Sequence, residues 1–183
     1  MKAANTEASD GSLVHAALHG DEDAYAALVR RYQNLLYRHA QRMTGRSDEA
    51  ADIVQASFLK AFGNLSQCRH ADRVGAWLFR INANLCKDYL KGRRRQNLRL
   101  EATAELAGDD DPARCVELGQ LRDRIRQALD RLLPLEREAF VLKHVEGLSY
   151  DEMAELLEAS VPALKMRVHR AREALQTLLE EYR

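Results

Sequence analysis

Apolar residues recur every three to four positions along most of the chain, which is the spacing of one face of an α-helix. No alternation of apolar and polar residues is long enough to predict a β-strand, and the three prolines, Pro112, Pro134 and Pro162, stand where helical patterns begin. We therefore predict an all-α protein. The predicted helices lie near 9–19, 21–43, 47–63, 75–93, 117–131, 135–145, 149–157 and 161–181.

The helical pattern weakens between residues 96 and 116. This stretch contains Gly108, Pro112 and three consecutive aspartates, which are typical of a linker. We predict two small helical domains, 1–95 and 117–183, joined by an acidic flexible linker at 96–116. The C-terminal domain has the pattern of a helix-turn-helix.

Charge is distributed unevenly, although 28 Lys and Arg balance 28 Asp and Glu over the 183 residues. Residues 1–95 hold 15 basic and 10 acidic side chains, whereas residues 96–120 hold 2 basic and 6 acidic. This asymmetry bears on the choice of partners rather than on the fold.

Several classes of protein are excluded by the composition. No stretch approaches the roughly 18 uninterrupted apolar residues of a membrane span, and the first ten residues lack the apolar core of a secretory signal. We therefore expect a cytoplasmic protein without membrane insertion. Three widely spaced cysteines, Cys68, Cys86 and Cys115, predict free thiols, and Cys68 with His70 lacks a second pair of metal ligands.

No catalytic motif is recognisable. The sequence has no GxxxxGK phosphate loop, no nucleophile elbow and no HExxH zinc motif, and its six histidines are scattered. We predict a protein that is not an enzyme, with no catalytic residue, metal, cofactor or small-molecule substrate.

The stretch near 149–175 predicts a helix-turn-helix. Ser149 and Glu152 form a capping box, the chain turns at 158–160, and a longer helix begins at Val161. The core-facing positions of that helix are Leu164, Val168, Ala171 and Leu175. Its other positions supply the cations that a DNA-reading helix requires, namely Lys165, Arg167, Arg170 and Arg172. An amphipathic helix with a solvated basic face is the alternative.

A second basic face is predicted on the helix near 75–93. One side is apolar and consists of Leu78, Ile81, Leu85, Cys86 and Tyr89. Another side is polar and consists of Arg80, Asn84, Lys87 and Lys91, with Trp77 at its edge. With the arginines at 93–95, these groups suit a phosphate backbone and unstacked bases. A solvated face with Trp77 as a core anchor fits the pattern equally well.

The helix near 47–63 combines an acidic face with an apolar one. The acidic and amide groups that lie close together are Asp48, Glu49, Asp52 and Gln55. The residues expected to face the core are Ile53, Val54, Leu59 and Phe62, while Phe58 is expected to be partly exposed. Such a helix suits docking on a protein partner. An ordinary helix capped by Ser47 fits the spacing as well.

Three blocks together resemble one family, the small extracytoplasmic-function (ECF) group of bacterial RNA polymerase sigma factors in the sigma-70 family. The family's core-polymerase-binding helix is similar to SDEAADIVQASFLKAF. Its helix for reading and melting the minus-ten element is similar to GAWLFRINANLCKDYLKGRRR. Its minus-35-binding domain is similar to LPLEREAFVLKHVEGLSYDEMAELLEASVPALKMRVHRAREAL.

The resemblance implies a transcription initiation factor that binds the beta-prime clamp and beta flap of core RNA polymerase and directs it to promoter DNA. The implied polymerase-binding residues are Asp48, Glu49, Asp52, Gln55 and Phe58. The implied minus-ten residues are Trp77, Arg80, Asn84, Lys87 and Lys91, with the loop at 67–74. The implied minus-35 residues are Lys143, Tyr150, Lys165, Met166, Arg167, His169 and Arg170. An anti-sigma partner, able to hold the protein at the membrane, is also implied.

The chain departs from the family pattern at the turn, where Glu158 replaces the usual glycine, and at residues 161–163, which offer no side-chain hydrogen bonds. Two other interpretations stay open. LEREAFVLKHVEGLSYDEMAELL also resembles regulators of the response-regulator and quorum-sensing type, although residues 1–95 show no receiver or ligand-binding pattern. An RNA-binding or adaptor protein using the arginines at 93–95 would leave the C-terminal module unexplained.

Overall fold

The computed structural model describes the backbone of residues 8–101 and 127–180 and the side chains of residues 8–96 and 127–177. Within these ranges the chain is helical and contains no β-strand, which confirms the predicted all-α fold. The helices are α1 (Asp10–Leu18), α2 (Glu22–Thr44), α3 (Ser47–Gly63), α4 (Val74–Glu101), α5 (Pro134–His144), α6 (Tyr150–Leu157) and α7 (Val161–Glu180). Two 3₁₀ turns, Leu65–Gln67 and Ala71–Arg73, separate α3 from α4, and residues 127–131 are helical.

The predicted helix limits agree with the described ones to within one residue, except at the C-terminal end of α4. This helix continues to Glu101, whereas the sequence pattern predicts an end near residue 93 and a linker from 96. Residues 94–101 contain neither glycine nor proline, so nothing local stops the helix. The rest of the predicted linker, with Cys115, and residues 117–126 of the next predicted helix lie outside the described residues.

Contacts between Cα atoms divide the chain into two compact units, Met1–Cys86 and Lys87–Arg183. The division falls inside α4. In the first unit, α1 and α3 pack against α2, and α1 also contacts both 3₁₀ turns. The core of this unit includes Leu28, Leu36, Met43, Leu78 and Phe79. The limits at 95 and 117 drawn from the sequence remain a prediction.

A buried polar cluster joins α2, α3 and α4 within the first unit. Asn82 is fully buried and donates from Nδ2 to the Leu36 carbonyl at 3.3 Å, while its Oδ1 accepts from Ser57 Oγ at 3.2 Å. His39 Nδ1 lies 3.2 Å from the same Nδ2. Because a buried amide without partners costs about 1–3 kcal/mol, these bonds fix how the three helices pack.

The second unit contains the predicted helix-turn-helix, and α5 and α6 both pack against α7. The predicted core positions of α7, including Leu164 and Val168, are buried. The capping box is also confirmed. Ser149 Oγ accepts from the Glu152 N–H at 3.2 Å, and Glu152 Oε2 accepts from the Ser149 N–H at 2.7 Å.

Glu158, at the end of α6, adopts φ 50° and ψ 45°, the left-handed conformation that favours glycine at a helix C-terminus. A glutamate therefore holds a backbone conformation at this turn that glycine adopts more easily. In the part of the chain that the structure describes, no helix is long and apolar enough to cross a membrane.

Candidate functional site

An apolar groove lies between α2 and α3 and has a volume of about 640 Å³. Its walls are formed by Tyr25, Val29, Gln33, Asn34 and Tyr37 of α2 and by Ala51, Val54, Gln55, Phe58, Leu59 and Phe62 of α3. Leu59 and Phe62 are 67% and 57% exposed. Large apolar side chains left in solvent beside a groove are typical of a binding surface.

This groove corrects the predicted facing of α3. The sequence pattern places Leu59 and Phe62 in the core and Phe58 partly in solvent, but Phe58 is only 8% exposed and the other two residues face solvent. The buried positions of α3 are Ala50, Ile53, Val54, Ser57, Phe58 and Ala61. Leu59 lies about 200° around the helix from the buried Ser57, so it falls outside the core-facing stripe.

Tyr25 fixes the wall of the groove. Its hydroxyl donates to the Phe58 carbonyl at 2.6 Å, and its ring meets that of Phe62 edge to face with centroids 4.9 Å apart. Burial raises the pKa of Tyr25 to about 12, so the hydroxyl remains a donor at neutral pH. The groove is therefore formed before any partner binds.

The predicted acidic face is present at the start of α3. Asp48, Asp52 and Gln55 are exposed, and Glu49 is half-buried. Asp48 pairs with Arg46 at 2.6 Å, and this hydrogen bond lowers the pKa of Asp48 to about 2. Carboxylates in the first turn also interact favourably with the helix dipole.

Ser47 does not cap α3, contrary to the alternative considered from the sequence. The helix begins at Ser47 itself, and the N-cap position is occupied by Arg46 without a side-chain cap hydrogen bond. The Ser47 hydroxyl instead accepts from Gln41 Nε2 at 3.1 Å. The preceding turn is held by Thr44, whose Oγ1 accepts from the Arg46 N–H at 3.2 Å.

The predicted polar face of α4 is only partly in solvent. Asn84 and Lys91 are exposed, whereas Trp77 and Arg80 are half-buried. Within the second unit, Lys87 lies 3.2 Å from a carboxylate oxygen of the buried Glu138. The apolar side is also only partly as predicted: Leu78 and Cys86 are buried, Ile81, Leu85 and Tyr89 are half-buried, and Phe79, Asn82 and Ala83 are buried as well.

The recognition helix α7 presents the predicted side chains to solvent. The exposed members are Lys165, Met166, His169 and Arg170, while Arg167 is half-buried. His169 Nε2 lies 3.4 Å from Glu173 Oε1 one turn further on. The exposed face thus combines cations, an imidazole and a thioether, which together suit phosphate and base-edge contacts.

Three of the predicted minus-35 residues come from different helices and lie close together at the start of α6. Lys143 Nζ of α5 donates to the Leu148 carbonyl at 2.9 Å and lies 4.9 Å from the centroid of the Tyr150 ring. Lys165 Nζ of α7 lies 5.7 Å from the same centroid. Tyr150 therefore gathers two cations at one edge of the unit, an arrangement that suits a phosphate group.

Most residues that line the groove are not predicted as surface residues by the sequence pattern, namely Tyr25, Val29, Gln33, Asn34, Tyr37, Leu59 and Phe62. One signal was available: α3 carries more large apolar residues than a single core-facing stripe needs. In residues 8–101 and 127–180, no group of three His, Cys, Asp or Glu side chains is placed to hold a metal ion.

Comparison with known proteins gives matches over most of the chain. The family models described as Sigma-70 region 2 and Sigma-70, region 4 match residues 28–96 and 122–175. RNA polymerase sigma-H factor of Pseudomonas aeruginosa is 31% identical, with 96% of each chain covered. ECF RNA polymerase sigma factor SigW of Bacillus subtilis is 32% identical, covering 88% of this chain and 92% of the relative.

Two solved structures are similar to the chain as a whole. CnrH, in complex with the cytosolic domain of CnrY, has a TM-score of 0.64 and 30% identity, covering 94% of this chain and 97% of CnrH. The sigma factor RpoE from Bartonella quintana, in complex with the anti-sigma factor NepR, has a TM-score of 0.59 and 28% identity, covering 87% and 98%.

Proposed function

This chain belongs to the ECF group of the sigma-70 family, whose members bind core RNA polymerase and promoter DNA to initiate transcription, and we propose that its groove and its two basic faces divide this work. The α2–α3 groove, with the acidic start of α3, binds the beta-prime clamp. The observation that carries this assignment is the groove itself, with Leu59 and Phe62 exposed beside it. An apolar groove between helices suits an amphipathic helical partner.

The minus-ten element is assigned to the loop at 67–74 and to the polar face of α4. Trp77, Arg80, Asn84, Lys87 and Lys91 supply an aromatic ring, an amide and cations for unstacked bases and phosphates. The arginines at 93–95 extend this basic face.

The minus-35 element is assigned to the helix-turn-helix. Met166, Arg167, His169 and Arg170 face the base edges, and the cluster of Lys143, Tyr150 and Lys165 holds the backbone. We assign these roles to two modules, 1–95 and 117–183, which are joined by a linker at 96–116. The second module contacts the beta flap of the polymerase.

The protein acts without catalysing a reaction, since the chemistry belongs to the polymerase, and it works in the cytoplasm where that enzyme lies. An anti-sigma partner is part of the proposal, because the similar sigma factor RpoE from Bartonella quintana is in complex with the anti-sigma factor NepR. Such a partner competes with polymerase for the groove. The alternative regulator is not favoured, because residues 28–96 match Sigma-70 region 2.

Transcription in vitro tests the proposal. The purified protein is added to sigma-free core RNA polymerase on fragmented genomic DNA, and transcript starts are sequenced. We expect discrete starts that share two upstream motifs near minus ten and minus 35. Failure to bind core polymerase would contradict the assignment of the groove.

A further inference from the structure

The first helix, α1, packs against the loop that the proposed function assigns to the minus-ten element. It contacts both 3₁₀ turns, Leu65–Gln67 and Ala71–Arg73, as well as α2. Its apolar side is anchored in the core by Leu13 and Val14. A helix with this placement is suited to hold the loop in one position.

Asp10 ties the start of α1 to α2. Its two carboxylate oxygens accept hydrogen bonds from the Arg31 guanidinium and from the Tyr32 hydroxyl. Arg31 also donates from Nη2 to the Ala8 carbonyl at 2.8 Å. Burial, together with the Asp10 carboxylate, raises the pKa of Tyr32, so its hydroxyl donates at neutral pH.

Two glycines allow the loop and its flanking helix to approach this tie. A Cβ on Gly75, at the start of α4, would lie 2.6 Å from Cε1 and 2.8 Å from Cζ of the Tyr32 ring. A Cβ on Gly11 would overlap Oδ1 of Asp72 and lie 3.3 Å from its Cγ. Asp72 belongs to the second 3₁₀ turn, and its negative charge at the first turn of α1 is favoured by the helix dipole.

We propose that α1 and Tyr32 set the position of the minus-ten loop, and that Tyr32 is a positioning residue for base discrimination although it lies outside the loop. The proposal rests on the proposed function of residues 67–74. The Tyr32 ring packs against Gly75 on the C-terminal side of the loop, and its hydroxyl donates to Asp10. The next residue, Gly11, lies against the Asp72 carboxylate of the loop. A loop that is already ordered in the free protein binds an unstacked base without losing further conformational entropy.

The test compares Tyr32→Phe and Gly75→Ala with Gly92→Ala, all in the full-length protein. Tyr32→Phe removes only the hydroxyl, and Gly75→Ala pushes the ring from its place. Gly92→Ala is the matched control, because it lies in the same helix and a Cβ there meets no atom within 4 Å. It therefore reports the general effect of replacing a helical glycine by alanine.

Base discrimination is measured by in vitro transcription from a promoter found in the transcription experiment proposed above, with each base placed in turn at every minus-ten position. Because losing a hydrogen bond to a charged group shifts an equilibrium roughly tenfold, we expect Tyr32→Phe to lose about that factor in discrimination. Minus-35 preference and core-polymerase binding should stay as in wild type. Gly75→Ala should lower base discrimination by a similar factor. In a double variant, Gly75→Ala should cause no further loss beyond that of Tyr32→Ala, because the ring that it displaces is absent.

Hydrogen exchange on the free protein gives a readout that needs no promoter. Amides of residues 67–74 should exchange faster in Tyr32→Phe and Gly75→Ala but not in Gly92→Ala, while the core of α2 and α3 keeps its protection. If Gly75→Ala does not fold, Tyr32→Phe alone decides.

The outcomes separate the two proposals. If wild-type protein directs no discrete starts, the proposed function fails and this inference falls with it. If wild type uses a promoter and Tyr32→Phe discriminates bases equally well, only the positioning role is wrong. Additive effects of Gly75→Ala and Tyr32→Ala would likewise contradict transmission through the ring.

Discussion

The α2–α3 groove and the exposed face of α7 are proposed as two binding surfaces, and they differ in chemistry. The groove consists of apolar walls with Tyr25 hydrogen-bonded to the Phe58 backbone, so its shape exists before binding. The face of α7 consists of long cationic side chains such as Lys165 and Arg170, which stand in solvent. One surface offers shape and apolar area, and the other offers charge.

This difference predicts how each surface contributes to initiation. Apolar burial depends little on salt, whereas phosphate contacts weaken steeply as salt rises. We expect the small cationic face of α7 to bind promoter DNA weakly by itself. When polymerase holds both DNA-binding modules, the second contact forms at a high effective concentration, and specificity then comes from the pair.

The largest effect is expected when the apolar part of the groove is removed. Replacing Leu59 and Phe62 together with Ala should weaken core-polymerase binding by about 3–4 kcal/mol or more, since buried anchors carry most of an interface's energy. Both side chains are exposed in the free protein, so the fold should persist. Leu18→Ala, an exposed leucine on α1, is the control. Titration calorimetry measures the affinity of each variant for core polymerase. If the double variant bound as tightly as wild type, the groove would not be part of the interface.

A smaller effect is expected on the DNA side. Replacing Arg170 with Ala should cost about 1–3 kcal/mol of promoter recognition and leave polymerase binding intact. Arg172→Ala, on the same helix, should reduce the salt dependence of promoter binding without changing the preference for minus-35 bases. Transcription from templates with altered minus-35 bases distinguishes the two variants. Unchanged promoter use by Arg170→Ala would exclude a reading role for this side chain.

The acidic rim of the groove should matter less than its apolar walls. Replacing Asp52 and Gln55 together with Ala should reduce polymerase affinity by about 1 kcal/mol, because exposed polar contacts are well solvated. The loss should shrink at high salt, unlike that of the apolar double variant. Normal co-purification with polymerase at low salt would mean that the acidic rim lies outside the docking surface.

Repeating patterns made the helices predictable, but not which side of each helix is buried. The core positions of α7 follow one clear stripe, and Leu164 and Val168 are buried as predicted. On α3 two apolar stripes compete, and only packing against α2 decides that Phe58 goes inside and Leu59 outside. The resemblance predicts a docking surface on α3, and the sequence pattern does not predict that the apolar side chains beside it are exposed.

Buried polar groups were the other gap between sequence and structure. Asn82 lies among apolar residues of α4 and was not expected in a core, since its partners Ser57 and Leu36 are 25 and 46 residues away. Arg137 and Glu138 are only 2% and 1% exposed, although both read as ordinary surface residues of a helix. Asn82 bonds to groups far along the chain, Glu138 faces Lys87 at 3.2 Å, and Arg137 pairs with Asp130 at 2.6 Å. The periodicity of a single helix reports none of these contacts.

The two units also differ in what they bury, and this difference can be tested by pH. The first unit buries Asn82 together with His39, whereas the second buries the carboxyl group of Glu138 beside Lys87. Burial raises the pKa of Glu138 above its ordinary value, although Lys87 opposes the shift. A raised pKa in the folded state means that folding binds the proton more tightly, so this group's contribution is most favourable below its unfolded pKa and declines as pH rises through its folded pKa.

Replacing Glu138 with Gln keeps the shape and removes the titration. We expect a modest gain in the free energy of unfolding at pH 7, and no gain at pH values below the unfolded pKa, where wild-type Glu138 is already protonated. Urea denaturation at a series of pH values measures the difference, with the exposed Glu173→Gln on α7 as the control. Loss of stability at pH 7 in the Gln variant would show instead that the ion pair with Lys87 outweighs the cost of burying the charge. In that case an ion pair would stabilise the packing of the second unit, and charged side chains would serve both its core and its proposed DNA-binding face.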